Sequence, residues 1–397
     1  MFVYADNAAT TCVSKTALDA LLPCLTENWG NASSLYSFGQ KAAELLEESR
    51  KTVAACLGAA NPREIYFTSC GSEADNQALV SCAKLGARKG KKHLISTKFE
   101  HHAILHTLKA LEKEGFEVTL LDVHEDGVVR VEDVAAAIRE DTCCVSVMFA
   151  NNEVGTIQPI KEIGALCRER KVIFHTDAVQ AVGHLPINVK EQNIDMLSLS
   201  GHKFQGPRGT GALFVRKGIP LLSFIEGGAQ ERSKRAGTED LPAIKGMAAA
   251  LKEACDHMEE TNQKLTALRD RLIEGLSEIP HGGLNGDRER RIAGNVNFCF
   301  EGIEGESMLL LLDDKGIAAS SGSACTSGSL DPSHVLLAIG RPHEVAHGSL
   351  RLSLGEDNTA EDIETIIENV KEIVAYLRSI SPVWKDLQKG VRTYVIQ

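Results

Sequence analysis

The segment SLSGHKFQGPRGTG, residues 198–211, places Lys203 directly after an apolar run that is typical of a buried strand. In open α/β sheets, ligands bind at the carboxyl ends of the strands. A lysine held there with little water around it can lose its proton and form an imine with a carbonyl compound. Since an isolated lysine is more often an ordinary surface residue, this hypothesis depends on other segments that lie at the same edge.

Another predicted strand, KVIFHTD, ends at Asp177, and Gln180 follows it at the start of a predicted helix. If the carbonyl compound is pyridoxal phosphate, Asp177 would keep the pyridine nitrogen protonated and Gln180 would hydrogen-bond the phenolic oxygen. The alternative interpretation of Asp177 is a helix N-cap.

Two more segments join a strand to a helix. In YFTSCGSEADNQAL, the backbone N–H groups of Gly71 and Ser72 could hold a phosphate at the helix start, although a plain capping pattern looks the same. In STKFEHHAIL, His101 could stack on an aromatic coenzyme and exchange protons, because an unperturbed histidine has a pKa of about 6.5. The alternative for His101 is a structural histidine.

The chain has 11 cysteines and no CxxC pair, a distribution that favours neither a zinc site nor a disulfide framework. Cys325 differs from the other ten, which we expect to be buried among apolar neighbours. It lies in ASSGSACTSGS, residues 319–329, a sequence typical of a mobile loop. An exposed thiol on such a loop could attack a bound sulfur compound and then present the sulfur to a partner.

Composition narrows the function classes. The 397 residues are 43% apolar and 24% charged, as in an ordinary globular protein, and the net charge of −11 disfavours a nucleic-acid partner. No run approaches the roughly 20 apolar residues that span a bilayer, and the N-terminal segment MFVYADNAATT does not resemble a signal peptide. We therefore expect a cytoplasmic protein that does not act on membranes.

Between about residues 60 and 220, short apolar runs alternate with helical stretches, which predicts an α/β fold with a mostly parallel sheet covered by helices on both faces. A long helix is predicted from Leu241 to about Ile279 as the bridge to a second unit. Two strands, NVNFCFEG and SLRLSLG, and an amphipathic helix at 360–380 then indicate a smaller α+β domain. The predicted boundaries are 15–260 for the large domain, and 1–14 with 261–397 for the small domain that carries the Cys325 loop.

Taken together, these segments resemble the fold-type I pyridoxal phosphate enzymes. Within them they resemble the class V aminotransferase group, and specifically the cysteine desulfurases of iron–sulfur cluster assembly. The resemblance runs from Tyr4 to Gly355. It rests on the strings YADNAATT, GNASSLYSFGQ, ANNEVGTIQPI, HTDAVQAVG, SGHKFQGPRG, GGAQERSKRAGTED and SSGSACTSG in that order.

The resemblance implies a role for each matching residue. Lys203 would form the Schiff base with pyridoxal 5'-phosphate, and His101 would stack over the ring that Asp177 and Gln180 hold. The remaining coenzyme-binding positions, mostly at the phosphate, would be Gly71, Ser72, Asn152, Ser200, His202 and Thr238. Thr238 would act on the neighbouring subunit, so the resemblance implies a homodimer.

For the substrate, the resemblance implies that its carboxylate is bound by Asn152 and Arg351, with Asn31 as a weaker candidate. Arginine suits this role because its planar guanidinium can pair both oxygens. The implied reaction converts L-cysteine to L-alanine and leaves the sulfur on Cys325 as a persulfide, for a cluster scaffold or another sulfur acceptor. Two alternatives stay open. The first is another pyridoxal phosphate-dependent enzyme, either a selenocysteine lyase or a lyase or aminotransferase for another small amino acid. The second is a scaffold without catalytic activity.

Overall fold

The computed structural model describes residues 2–321 and 331–396. Its largest element is a seven-stranded sheet in the order β2-β8-β7-β6-β5-β3-β4, in which β8 alone runs antiparallel to its neighbours. The strands are β2 (Ile65–Thr68), β3 (His93–Thr97), β4 (Glu117–Leu121), β5 (Thr142–Ser146), β6 (Ile173–Asp177), β7 (Met196–Ser200) and β8 (Gly211–Val215). The six predicted strand runs of this region are confirmed as β2 to β7.

Alternate side chains of the sheet enter two separate apolar clusters, because successive residues of a strand point to opposite faces. Ile95, Val145 and Leu197 belong to one cluster, and their neighbours Leu94 and Cys144 belong to the other. The helices of this region are α1 (Lys15–Thr26), α2 (Ser37–Cys56), α3 (Gly71–Ala87), α4 (His102–Lys113), α5 (Val131–Ala137) and α6 (Ile160–Arg170). The predicted α/β fold, with helices on both faces of a mostly parallel sheet, is confirmed.

A smaller unit contains the parallel pair β1 (Val3–Tyr4) and β11 (Ile317–Ala318) and a three-stranded antiparallel sheet. The strands of that sheet are β9 (Gly282–Leu284), β10 (Asn295–Phe300) and β12 (Ser349–Ser353). Its helices are α9 (Met258–Ser277), α10 (Gly305–Asp314), α11 (His334–Ala338), α12 (His343–Ala346), α13 (Ala360–Ile380) and α14 (Pro382–Gln388). A third apolar cluster joins Val3 and Ala5 to residues between 265 and 377, whereas Val335, Leu336 and Ile339 pack in the first cluster, beside the large sheet. The domain boundaries stay a prediction.

The single long helix predicted from Leu241 to Ile279 is wrong. The structure has α8 (Leu241–Asp256) and α9 (Met258–Ser277), which meet at the non-helical residue His257. The two helices pack on different partners, α8 on α1 and α2, and α9 on α13. A break lets each apolar face turn toward its own partner, and a sequence pattern alone does not reveal this change of partner.

Just before α8 lies a short turn, α7 (Gln230–Ser233), in which Glu231, Arg232 and Ser233 all have positive φ. Three successive non-glycine residues in this left-handed region are uncommon and strained. In the described ranges 2–321 and 331–396, none of the helices is long and apolar enough to cross a membrane.

Candidate active site

The carboxyl ends of β6 and β7, the start of α3 and a side chain of β12 enclose a cavity of about 360 Å³. Most of the predicted site residues line it: Gly71, Ser72, His101, Asn152, Asp177, Gln180, Ser200, His202, Lys203 and Arg351. These residues come from segments far apart in the sequence. The fold thus brings together the groups that the sequence motifs single out.

Lys203 ends a turn of 3-10 helix, Gly201–Lys203, that follows β7 directly. Its Nζ donates hydrogen bonds to the backbone carbonyls of Ala8 and Ala9, both at 2.7 Å. The amine is therefore held at the cavity by the segment that follows β1. Such a position at the carboxyl end of a parallel strand is suited to a lysine that reacts with a carbonyl group.

Asp177 is the last residue of β6 and is almost fully buried. Its Oδ1 accepts a hydrogen bond from the Val179 N–H at 2.9 Å. Burial raises the pKa of Asp177, against the opposing effects of His101, the Val179 hydrogen bond and Lys203. A protonated ring nitrogen placed against this carboxylate would compensate the cost of burying it.

No helix starts at Gln180, contrary to the prediction. The chain after Asp177 makes only short turns, with hydrogen bonds from the Val182 N–H to the Ala178 carbonyl and from the Leu185 N–H to the Ala181 carbonyl, and Gly183 has a φ of 82° that does not continue a helix. The N-cap interpretation of Asp177 is therefore wrong as well. Gln180 Nε2 donates to the Ala8 carbonyl at 2.9 Å, and a side-chain amide has a second N–H to offer.

The start of α3 has the features of a phosphate site. Its N-cap, Cys70, makes no side-chain capping hydrogen bond to the first N–H groups of the helix. A Cβ on Gly71 would lie 2.6 Å from Cγ2 of Val179, so a larger residue does not fit there without a shift. The N–H groups at the start of α3 and the Ser72 and Ser200 hydroxyls, from residues that line the cavity, are donors that suit a phosphate group.

His202 completes this group as a neutral side chain. Burial, together with the charges of Lys203 and Arg208, lowers its pKa to about 4. Its Nδ1 shares a hydrogen bond of 3.1 Å with the Thr10 hydroxyl. At neutral pH it can therefore take part in hydrogen bonds but adds no positive charge.

His101 is both the N-cap of α4 and a cavity residue. Its Nδ1 accepts a hydrogen bond from the Ala103 N–H at 3.1 Å, so the neutral ring carries its proton on Nε2. The structural and the catalytic interpretations of His101 are thus compatible, because the cap fixes the ring at the cavity.

Arg351, in the middle of β12, is 2% exposed. Its Nη2 donates to Oδ1 of Asp6 at 2.8 Å and its Nη1 to the Asn152 carbonyl at 3.1 Å. Its Nε is buried without a hydrogen-bond partner. A buried guanidinium whose Nε–H has no partner is well suited to bind a carboxylate at the cavity.

Sequence reasoning missed Asp6, which pairs with Arg351, and the carbonyls of Ala8 and Ala9, which hold Lys203. All three lie in the string YADNAATT, which carries the resemblance without pointing to a role for them. Asp75 was also missed, although it lines the cavity and has an Oδ1 buried without a hydrogen-bond partner. Its place in the first turns of α3, beside Gly71 and Ser72, was the available signal.

Two of the predicted residues that the structure describes do not line the cavity. Thr238 and Asn31 are exposed on the surface of the chain. Cys325 lies outside the described residues. The expectation that the other ten cysteines are buried is wrong for Cys12, which is exposed, and Cys56, Cys70 and Cys255 are only partly buried.

The geometry can be set beside known proteins. The family model described as aminotransferase class-V matches residues 3–366. A protein of Clostridium botulinum strain Kyoto named cysteine desulfurase IscS is 55% identical, over 98% of both chains. One of Methanosarcina thermophila with the same name is 56% identical, over 96% of this chain and 94% of its own. This chain belongs to the cysteine desulfurases of the class-V aminotransferase family.

The fold comparison agrees. A solved structure named NifS-like protein superposes with a TM-score of 0.89 at 36% identity, covering 95% of this chain and all of its own. The predictions of a fold-type I enzyme, of pyridoxal phosphate as coenzyme and of a cysteine desulfurase are confirmed. The selenocysteine lyase alternative is not favoured, since these full-length relatives are named as cysteine desulfurases.

Proposed function

We propose that this cysteine desulfurase uses Lys203, Asp177 and Arg351 to hold its coenzyme and L-cysteine in one cavity, and Cys325 to take the sulfur. The observation that carries the proposal is the arrangement around the cavity: an amine and a buried carboxylate at the strand ends, and a buried guanidinium from β12. A related solved structure, 35% identical with a TM-score of 0.78, is described as SspA in complex with cysteine.

Different residues of this chain bind the coenzyme ring, the coenzyme phosphate and the substrate carboxylate. Pyridoxal phosphate, when bound, supplies an electron sink that weakens the bonds at the substrate's α-carbon. Asp177 and Gln180 hold its ring, and the start of α3 with Ser200 and His202 holds its phosphate. Arg351 and Asn152 bind the substrate carboxylate, which orients the side chain of L-cysteine within the cavity.

Proton transfer falls to two side chains. The Lys203 amine takes the α-proton of the substrate. His101, with a proton on Nε2, supplies a proton either to the substrate as its C–S bond breaks or to the sulfur of Cys325. The Cys325 thiolate attacks the substrate sulfur, so an S–S bond forms as the C–S bond breaks. The balance is L-cysteine plus the Cys325 thiol giving L-alanine plus the Cys325 persulfide, with no external oxidant.

We extend the proposal to the assembly. The protein acts as a homodimer in which Thr238 reaches the coenzyme phosphate of the neighbouring subunit, and it passes sulfur to a scaffold or other acceptor protein. An exposed apolar surface supports an association between copies: Leu18, Leu22 and Leu25 lie along one side of α1, and Trp29 is 69% exposed. A cytoplasmic location stays a prediction.

The test is to incubate the purified protein with L-cysteine and a reductant and to measure L-alanine and sulfide. We expect equal amounts of both products, and alanine formation should fall to background in Cys325→Ser. Cys12→Ser is the matched control, because Cys12 is also exposed, and it should keep full activity. Full-rate alanine formation by Cys325→Ser would show that another group accepts the sulfur.

A further inference from the structure

Helix α3 carries a line of buried polar side chains that do not line the cavity. Glu73, Gln77 and Ser81 are four residues apart, so they lie on one side of the helix. All three are buried, and buried polar groups are costly unless they are hydrogen-bonded. Each of them bonds the stretch between residues 222 and 235, which leads to Thr238.

Two of the three hold the backbone of that stretch. Gln77 Nε2 donates to the carbonyls of Leu222 at 3.0 Å and of Lys234 at 2.8 Å. Ser81 Oγ accepts from the Leu222 N–H at 3.1 Å. The two ends of the stretch are therefore fixed to the same helix.

Glu73 makes the third attachment and also holds the phosphate loop, which is the pair Ser69 and Cys70 just before α3. It accepts hydrogen bonds from Arg235, with Nε to Oε1 at 2.9 Å and Nη2 to Oε2 at 3.3 Å. Its Oε2 also accepts from the Ser69 N–H at 2.8 Å and from the Ser69 hydroxyl. Burial alone would raise the pKa of Glu73, but the Arg235 and Ser69 contacts outweigh it and the pKa is lowered. One carboxylate thus ties the loop before Gly71 to Arg235.

A second anchor holds the left-handed turn α7. Glu231 and Arg50 form a buried ion pair with two contacts of 2.7 Å, and Glu231 Oε2 also accepts from the Phe67 N–H at 2.9 Å. Phe67 belongs to β2, the strand that leads into the phosphate loop. Since strained backbone persists only where its surroundings hold it, this pair keeps the turn in its unusual conformation.

We propose that the Arg235–Glu73 pair positions the exposed segment carrying Thr238, so that Thr238 reaches the coenzyme phosphate in the neighbouring subunit. This inference rests on the proposed function, because it takes the dimer and the role of Thr238 from there. Arg235 is a positioning residue in this scheme, since it acts through Thr238. The start of α3 then serves two sites: it binds the phosphate of its own subunit and fixes the residue that serves the partner.

The test measures coenzyme affinity rather than turnover. The apo-dimer is titrated with pyridoxal 5'-phosphate, and separately with pyridoxal, which lacks the phosphate, for wild type, Arg235→Gln, Thr238→Ala and the double variant. We expect Arg235→Gln to weaken pyridoxal 5'-phosphate binding by about tenfold and to leave pyridoxal binding unchanged. In the Thr238→Ala background, Arg235→Gln should weaken pyridoxal 5'-phosphate binding little further. Arg235 acts through Thr238, so the effects of the two substitutions on affinity should not be additive.

Two variants control the result. Arg271→Gln removes an arginine from an exposed ion pair with Glu364 on the smaller unit and should bind the coenzyme like wild type. Arg235→Lys keeps the charge and should restore part of the affinity, and circular dichroism verifies that each variant is folded. An effect of Arg235→Gln that is equally large with and without Thr238 would overturn the inference. If wild type itself binds no pyridoxal 5'-phosphate, the proposed function fails instead.

Discussion

The cavity has two walls of different electrical character. The coenzyme wall, formed by Lys203, Asp177, Ser200 and His202, contains a histidine that is neutral near pH 7, because the pKa of His202 is lowered to about 4. Burial also lowers the pKa of His175, two residues before Asp177 on β6, to about 3. The carboxylate wall, formed by Arg351 and Asn152 with Asp6 behind them, contains a fixed ion pair.

This difference matches the two ligands. The coenzyme brings its own charges: the Asp177 carboxylate would face the ring nitrogen, and neutral hydrogen-bonding groups such as Ser200 and His202 would hold the phosphate. A free amino acid presents a carboxylate that loses its hydration on entering, and a guanidinium already in place compensates that loss. Substitutions in the coenzyme wall should therefore abolish alanine formation, whereas substitutions in the carboxylate wall should weaken the binding of L-cysteine.

The largest effect is expected for Lys203→Ala. Loss of the amine removes both the attachment point of the coenzyme and the base for the α-proton, so alanine formation should fall by at least about 10³-fold. The matched control, Lys217→Ala, changes an exposed lysine just beyond β8 and should keep full activity. Substantial alanine formation by Lys203→Ala would move the chemistry to another residue.

On the carboxylate wall, Arg351→Gln should raise KM for L-cysteine by about 100-fold, because a buried charged contact to the substrate is lost. Titration with pyridoxal 5'-phosphate should give an unchanged affinity. Steady-state alanine assays over a range of L-cysteine concentrations separate KM from kcat. A variant with normal KM and weak coenzyme binding would place Arg351 on the coenzyme wall instead.

Asp6→Asn should act on the same wall with a smaller effect. The amide oxygen can still accept from Arg351 Nη2, but the compensating charge is gone, so KM should rise by about tenfold. Asp122→Asn, in an exposed ion pair with Lys98, is the control and should not change KM. An Asp6→Asn effect as large as that of Arg351→Gln would mean that Asp6 itself touches the substrate.

The two walls also differ in how far the sequence predicts them. Lys203, Asp177 and Gly71 each follow a strand of one mostly parallel sheet, so the pattern of apolar runs is enough to predict that they share one edge. The pairing of Asp6 with Arg351 joins residues 345 positions apart, through a bridge from Asp6 to Ser353 that no local pattern encodes. The sequence motifs thus identify Arg351 but not the residue that orients it.

The errors have a related cause. The break at His257 depends on which helices α8 and α9 pack against, and the absence of a helix at Gln180 goes with the positive φ of Gly183, which interrupts the turns after Asp177. Hydrophobic periodicity reveals neither the packing partners of a helix nor such a local interruption. The antiparallel strand β8 was likewise not predicted, because its run GALFV follows a glycine-rich segment that reads as a loop.

Glu100→Gln should have the smallest effect on catalysis. Its effect on stability tests directly whether the groups behind the coenzyme wall are neutral. Burial raises the pKa of Glu100 to about 8, against hydrogen bonds from the Thr97 hydroxyl at 2.6 Å and the Met148 N–H at 3.0 Å. Between its ordinary pKa of 4.5 and about 8, Glu100 ionises in the unfolded chain but stays protonated in the folded one. The wild type therefore loses stability as pH rises through this window.

Glutamine is neutral at every pH and has nearly the same shape as protonated glutamate, so the variant should not share that loss. The free energy of unfolding of Glu100→Gln relative to wild type should increase steadily from pH 5 to pH 8, by up to about 3.5 kcal/mol. Urea unfolding at several pH values measures the difference. Glu112→Gln, at an exposed site on α4, controls for the loss of a glutamate. A difference that does not change with pH would mean that Glu100 is ionised in the folded protein, and the coenzyme wall would then lie against a buried negative charge.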